Sequence, residues 1–176
     1  LDTLIHNTNG GRVEVVNGAL MQAFVIVGGE VLVNTGTLSF LPGATGNSIA
    51  TLTNNGGIIS LGLVTVNVSG VYTQNAAGVL ALDVQSGTVF GKLTTATANL
   101  NGMVQITPLG NPPYTGATLR FITATTLNGQ FTSWTVMTGK KDWVASMVFT
   151  STGVTLTMTP RPILTKREQS HSSTAG

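Results

Sequence analysis

No cysteine occurs in the chain, which excludes disulfides and thiolate metal sites and leaves stability to packing and hydrogen bonds. Charge is scarce as well: 8% of residues are Asp, Glu, Lys or Arg, against roughly 25% in an average globular domain. No apolar run approaches the roughly 20 residues of a membrane-spanning helix, so membrane insertion is not expected. Helix signals are nearly missing, because no segment joins a helical apolar period to a cap and to an Ala-, Glu- or Lys-rich composition. What the 176 residues contain in abundance is Gly, Thr, Asn, Val and Leu, and that profile points to a secreted all-β protein.

The formal net charge of +2 is unevenly placed. Residues 1–160 balance Arg12, Lys92, Arg120, Lys140 and Lys141 against Asp2, Glu14, Glu30, Asp83 and Asp142, while beyond them Arg161, Lys166 and Arg167 outnumber Glu168. A neutral body lacks the clustered cations that neutralise phosphates, so no nucleic-acid partner is expected. Leu1 opens the sequence without Met or an export-signal pattern, as expected of a processed product or a piece of a longer parent.

A repeat organises the middle of the chain. Gly36-Thr37-Leu38-Ser39-Phe40, Gly57-Ile58-Ile59-Ser60-Leu61 and Gly78-Val79-Leu80-Ala81-Leu82 begin 21 residues apart, and Gly102-Met103-Val104-Gln105-Ile106 follows after 24. The second and fourth residues after each glycine are large and apolar: Leu38 and Phe40, Ile59 and Leu61, Leu80 and Leu82, Val104 and Ile106. This period-two alternation predicts short strands with one buried face, and these eight residues are the expected structural core. Asn34, Asn54, Asn55, Asn75 and Asn101 precede the glycines; both residue types tolerate positive φ and are expected to punctuate turns.

A period near 21, holding two or three strands with turns between, is about one coil of a parallel β-helix, whose coils stack roughly 4.8 Å apart. Further strands are predicted at 49–52, 65–68, 71–73 and 92–95, and earlier, less regular ones at 13–16, 23–27 and 31–33. Beyond Ile106 the repeat fades, leaving strands at 119–123 and 130–132 and a hairpin of 142–150 with 153–159 about Ser151-Thr152-Gly153. With Trp134 and Trp143 nearby, this hairpin is read as a cap over an otherwise open strand edge. The organisation expected is one β-solenoid domain over 1–159, with the repeat core at about 30–107 and the cap at about 108–159. Residues 160–176, with Pro162 and a Ser/Thr-rich end, read as a linker or tail docked on a neighbouring copy.

The stretch 70–131 resembles a segment common near the C-terminal end of bacterial autotransporter passenger domains and related secreted β-helix proteins. Gly70-Val71-Tyr72-Thr73-Gln74, Gly78-Val79-Leu80-Ala81-Leu82, Leu93 with Ala98 and Leu100, Gly102-Met103-Val104-Gln105-Ile106, and Gly116, Leu119, Phe121, Gly129 and Phe131 carry the resemblance. Lys92 stands where that family usually has Asp, and Ala96 where it usually has Gly. The resemblance implies a right-handed parallel β-helix, export, and a role at the cell surface without an active site.

Residues able to do chemistry are few and scattered. His6 and His171 lie at opposite ends, in no metal-ligand spacing. A glycosidase pair of Asp83 with Glu30 or Asp142 would have to meet by folding, with carboxyls roughly 5 or 8 Å apart. Ser69, Ser133 and Ser146 lack the elbow context of a nucleophile. Gly28-Gly29 and Gly56-Gly57 read as turns rather than phosphate loops. Asn67-Val68-Ser69 is a candidate glycosylation acceptor. Rows of Thr and Asn would suit ice or a flat glycan, but Thr-x-Thr occurs only in scattered cases such as Thr155 and Thr157.

The expected function is therefore a non-catalytic structural module of an extracellular adhesin, sheath or filament: no enzyme, no cofactor, no metal site, and as partner a second copy or further segments of a longer protein. The alternative is a carbohydrate-binding or carbohydrate-cleaving β-helix whose glycan meets an aromatic shelf of Tyr72, Tyr114 or Trp134.

Overall fold

The chain alternates between two sheets. The computed structural model describes residues 4–6, 11–109, 116–137 and 143–160, and these are all-β, without a helix. A first layer holds β1 (Leu4–His6), β2 (Arg12–Val15) and β3 (Leu20–Ala23), and a second holds β4 (Val25–Val27), β5 (Glu30–Asn34) and β6 (Thr37–Phe40). Four longer layers follow: β7 (Ser48–Asn55) with β8 (Ile58–Ser60), β9 (Thr65–Gln74) with β10 (Val79–Val84), β11 (Lys92–Leu100) with β12 (Met103–Pro108), and β13 (Thr118–Gly129) with β14 (Ser133–Val136). The last strands, β15 (Trp143–Thr150) and β16 (Gly153–Pro160), form a hairpin.

In the six-stranded sheet the order is β14-β12-β10-β8-β6-β3; the ten-stranded sheet runs β1-β4-β7-β9-β11-β13-β16-β15, with β2 and β5 beside it. Every pairing among β1–β14 is parallel and joins adjacent layers.

The repeat seen in the sequence is the register itself. Leu38 pairs with Ile59, Ile59 with Leu80 and Leu80 with Val104, while Leu82 pairs with Ile106. All eight predicted core residues are buried, the most exposed being Phe40 at 3%. Stacking like on like places these side chains in one apolar cluster with the inward residues of the other sheet, such as Ile49, Leu52, Val68, Leu93 and Leu119.

Several strand expectations need correction. The layers do not end at Ile106: Met103 pairs with Ser133, 30 residues on, and Leu93 with Ile122, 29 residues on. Residues 130–132 are not a strand, and β14 starts at Ser133. The expected strand 23–27 is broken at Phe24 into β3 and β4, because Asn47 reaches into the gap, accepting from Ile26 N at 2.8 Å and donating to Phe24 O at 3.4 Å. Conversely, 65–68 and 71–73 are one strand, β9, which carries Ser69 and Gly70 opposite the single Ala96 of β11 as a bulge. Thr95 Oγ1 donates to Gly70 O at 2.8 Å and holds that bend.

The repeating glycines serve close approach, and one of the four also takes left-handed backbone. Of Gly36, Gly57, Gly78 and Gly102, only Gly102 has positive φ, at 71°. A Cβ on Gly57 would stand 2.4 Å from Gly36 O and 2.6 Å from Val33 Cγ1, and one on Gly36 would stand 2.5 Å from Val16 O. Each glycine lets one layer's turn settle on the turn before it, which is why they recur at the layer spacing. The asparagines beside them do not take left-handed backbone, since Thr35, at 62°, is the one non-glycine among the described residues with positive φ.

At the C-terminal end, β16 lies antiparallel on β13 and β15 on β16, across the two-residue turn Ser151-Thr152. Val154, Leu156 and Met158 are buried, and Trp143, Ala145, Met147 and Phe149 pack on the core. Phe121 and Phe131 stack at 6.2 Å, and Phe149 meets Phe131 at 6.2 Å and Trp134 at 6.4 Å.

Gly57→Ala is expected to lower unfolding stability by about 1–3 kcal/mol, the usual range for overpacking. Gly87→Ala, whose Cβ would meet nothing closer than Ala117 Cβ at 3.5 Å, should stay within about 0.5 kcal/mol. Urea unfolding of both variants checks the contrast.

Candidate functional site

Among the described residues the candidates for chemistry lie on different strands. His6 sits on β1, paired with Val27, in the first layer; His171 and Asp142 lie outside the described residues. Glu30 and Asp83 do not form a pair. Glu30 is in the second layer of the ten-stranded sheet, whereas Asp83 is in the fourth layer of the six-stranded one. Glu30 instead approaches Arg12, with Nε to Oε1 at 4.0 Å, and Glu14 Oε2 lies 3.9 Å from Arg12 Nη2. These exposed contacts contribute at most about 1 kcal/mol each. Burial raises the Asp83 carboxyl above its usual range. Ser133 and Ser146 lie on β14 and β15, at the far end of the stack from His6, and Ser69 Oγ donates to Ile49 O at 3.4 Å. Among the described residues no three of His, Asp and Glu come close enough to hold a metal ion.

Of the three candidates for an aromatic shelf, only Trp134 is exposed among the described residues, at 36%. Tyr72 is wholly buried, Tyr114 lies outside the described residues, and Trp134 donates its indole Nε1 to Ala145 O at 2.9 Å beside the hairpin. Asn67 is exposed near the start of β9, where its Oδ1 accepts from Thr94 Oγ1 at 3.0 Å. The threonines are less scattered than their spacing suggests. Thr51, Val71, Thr97 and Thr126 form one outward row across four layers, and Thr53, Thr73, Asn99 and Asn128 form the next.

Asparagine forms a ladder along the stack. Asn75 Nδ2 donates to Asn55 Oδ1 at 2.6 Å, Asn55 Nδ2 to Asn34 Oδ1 at 3.1 Å, and Asn34 Nδ2 to Glu14 Oε1 at 3.0 Å. Just inside it lies a buried polar network. Tyr72 Oη donates to Gln74 Oε1 at 2.7 Å, and Gln74 Nε2 donates to Asn101 O at 2.9 Å and to Met103 O at 3.1 Å. Asn54 accepts from Gly57 N at 2.9 Å and donates to Val79 O at 3.0 Å. These amides hydrogen-bond the backbone of three successive layers within the core.

The remaining feature with functional reach is the pair of sheet ends. Neither β3 nor β14 has a second strand partner among the described residues. Both are free of charge, reading Leu-Met-Gln-Ala and Ser-Trp-Thr-Val, and Leu20 is 63% exposed. Ala19 O and Ala23 O accept from Thr37 N and Leu41 N of the next layer, so the alternate residue Gln22 turns its N–H and C=O to the open edge. Sequence reading placed only Ala23 of β3 in a strand, since Leu20-Met21-Gln22-Ala23 lies outside the glycine-led pattern.

In comparison with known proteins, no family model and no curated protein matches the chain.

Burial pushes the Tyr72 hydroxyl pKa far above its ordinary value of 10.0. The folded chain therefore keeps a proton that the unfolded chain releases, and stability should fall as pH rises above about 10, by up to about 1.4 kcal/mol per pH unit. Tyr72→Phe should cost about 1–2 kcal/mol at pH 7 through the lost hydrogen bond and show a flatter alkaline decline. Urea midpoints of both proteins between pH 7 and 11 check this.

Proposed function

We propose that the chain is a structural module of an extracellular adhesin, sheath or filament, built as a right-handed parallel β-helix with the β15–β16 hairpin as its cap. The observation that carries this reading is the parallel pairing of every layer with the next, interrupted by single bulges, in which each layer offers the next the same strand direction and the same inward alternation. A body made this way resists bending because every layer is tied to its neighbours by backbone bonds and shared side-chain columns. Right-handedness is the rule for parallel strand connections returning to the same sheet. The likeness of residues 70–131 to autotransporter passengers supports the same assignment and, with it, a place at the cell surface.

The uncharged ends of the six-stranded sheet give such a module a means of self-association. Edge strands that avoid joining usually carry Lys or Pro, and β3 and β14 carry neither. A second copy that pairs its β3 on β14 would continue the sheet in the same direction.

Electron microscopy of the whole chain at rising concentration is expected to show unbranched end-to-end polymers. Gln22→Pro, which removes a donor from the open edge of β3, should abolish them while leaving the circular dichroism spectrum unchanged. Single particles at every concentration would contradict self-association.

A further inference from the structure

Within residues 47–160 the described charged side chains are Asp83, Lys92 and Arg120. The two cations stand on one stretch of the ten-stranded sheet, while Asp83 is on the other sheet. Lys92 is the register partner of Thr65. Its ammonium is held 4.7 Å over the Phe90 ring. Arg120 donates from Nε to Thr123 Oγ1 at 3.3 Å and from Nη2 to Thr152 O at 2.6 Å and Thr152 Oγ1 at 3.1 Å. These bonds fix the guanidinium and leave its Nη1 for a ligand.

Beside the cations runs a row of outward polar side chains, Ser48, Asn67, Thr94 and Thr123, each the register partner of the next. The row borders a cleft of about 480 Å³ lined by residues 43–47 and by Leu63, Val64, Thr65 and Asn67, a size within the range of small-molecule sites. Asn47, 4% exposed, anchors the cleft wall through its bonds to Ile26 N and Phe24 O. Gly43 and Gly46, at φ of 80° and 76°, have nothing within 4 Å of where a Cβ would stand, so that wall is open.

We infer that this cleft and the row beside it bind a carboxylate-bearing oligosaccharide, a chain containing uronic acid units. Hydroxyl and amide groups match sugar hydroxyls, and the row advances about 4.8 Å per layer, comparable with the advance of one pyranose unit in an extended chain. Consecutive sugars therefore meet equivalent rungs. The two cations, with no described carboxylate beside them on this sheet, complement the uronate charge: Arg120 offers a planar donor group to a carboxylate and Lys92 a point charge. The site is complete within one copy, so it does not depend on self-association.

Affinity electrophoresis below any polymerising concentration tests this with alginate, polygalacturonate and neutral dextran as probes. Retardation by one or both uronate polymers is expected, with none by dextran, and it should weaken as salt is added. Lys92→Gln and Arg120→Gln should each weaken it about tenfold, in keeping with loss of one charge-assisted hydrogen bond, while Arg12→Gln, in the first layer, leaves it unchanged. No retardation by the uronate polymers, equal retardation by dextran, or indifference to both substitutions would overturn the inference and leave the structural reading standing.

Discussion

The structure depends on the parallel hydrogen-bond ladder between layers. Strands in such a ladder stand about 4.8 Å apart, so each residue stacks on its counterpart one layer away, and a property needed at one position is needed again at the next. Apolar residues recur inward, as in Leu38, Ile59, Leu80 and Val104. Glycine recurs where one turn presses on another, and asparagine where a side-chain amide can bridge from layer to layer. With neither cysteine nor more than a few charges, this repetition of short-range contacts supplies the cohesion of the body.

Those constraints explain what could be read from the sequence. Where connections keep a constant length, the register appears directly as a 21-residue period, and the core positions and strands such as Thr37–Phe40 and Val79–Val84 follow from it. Where a connection lengthens, the period is lost while the pairing persists. The longer segment ahead of Lys92, with its turn held by Ser86 to Val89 N, and the stretch between Pro108 and Thr118 displace the later strands in number but not in space. The strand at 119–123 was legible, but its place with β14 in a further parallel layer was hidden for that reason, as were the outward rows of Thr and Asn.

Site residues were less legible because their roles depend on which face a strand turns outward. Tyr72 alternates inward and is enclosed by the Gln74 and Asn54 network, so it cannot meet a ligand. Glu30 meets Arg12 because their strands are adjacent, a pairing that separation in the chain conceals. Lys92 and Arg120, 28 positions apart, carry no motif between them, yet the fold sets them on consecutive layers of one sheet. A body with so little charge makes such a juxtaposition conspicuous.

The most direct test of the account is whether the register holds through the last parallel layer. The absence of native cysteine allows a clean measurement by pairing Gln105→Cys with Thr135→Cys, whose positions are register partners on β12 and β14. Adjacent strands bring Cα atoms within the roughly 4.4–6.8 Å that a disulfide spans. Gln105→Cys with Ser133→Cys, displaced by two residues, exceeds that reach. Mild oxidation of the folded chain should give a nearly complete intramolecular disulfide in the first pair and little in the second. Equal cross-linking of both pairs, or none in the first, would contradict the layered register.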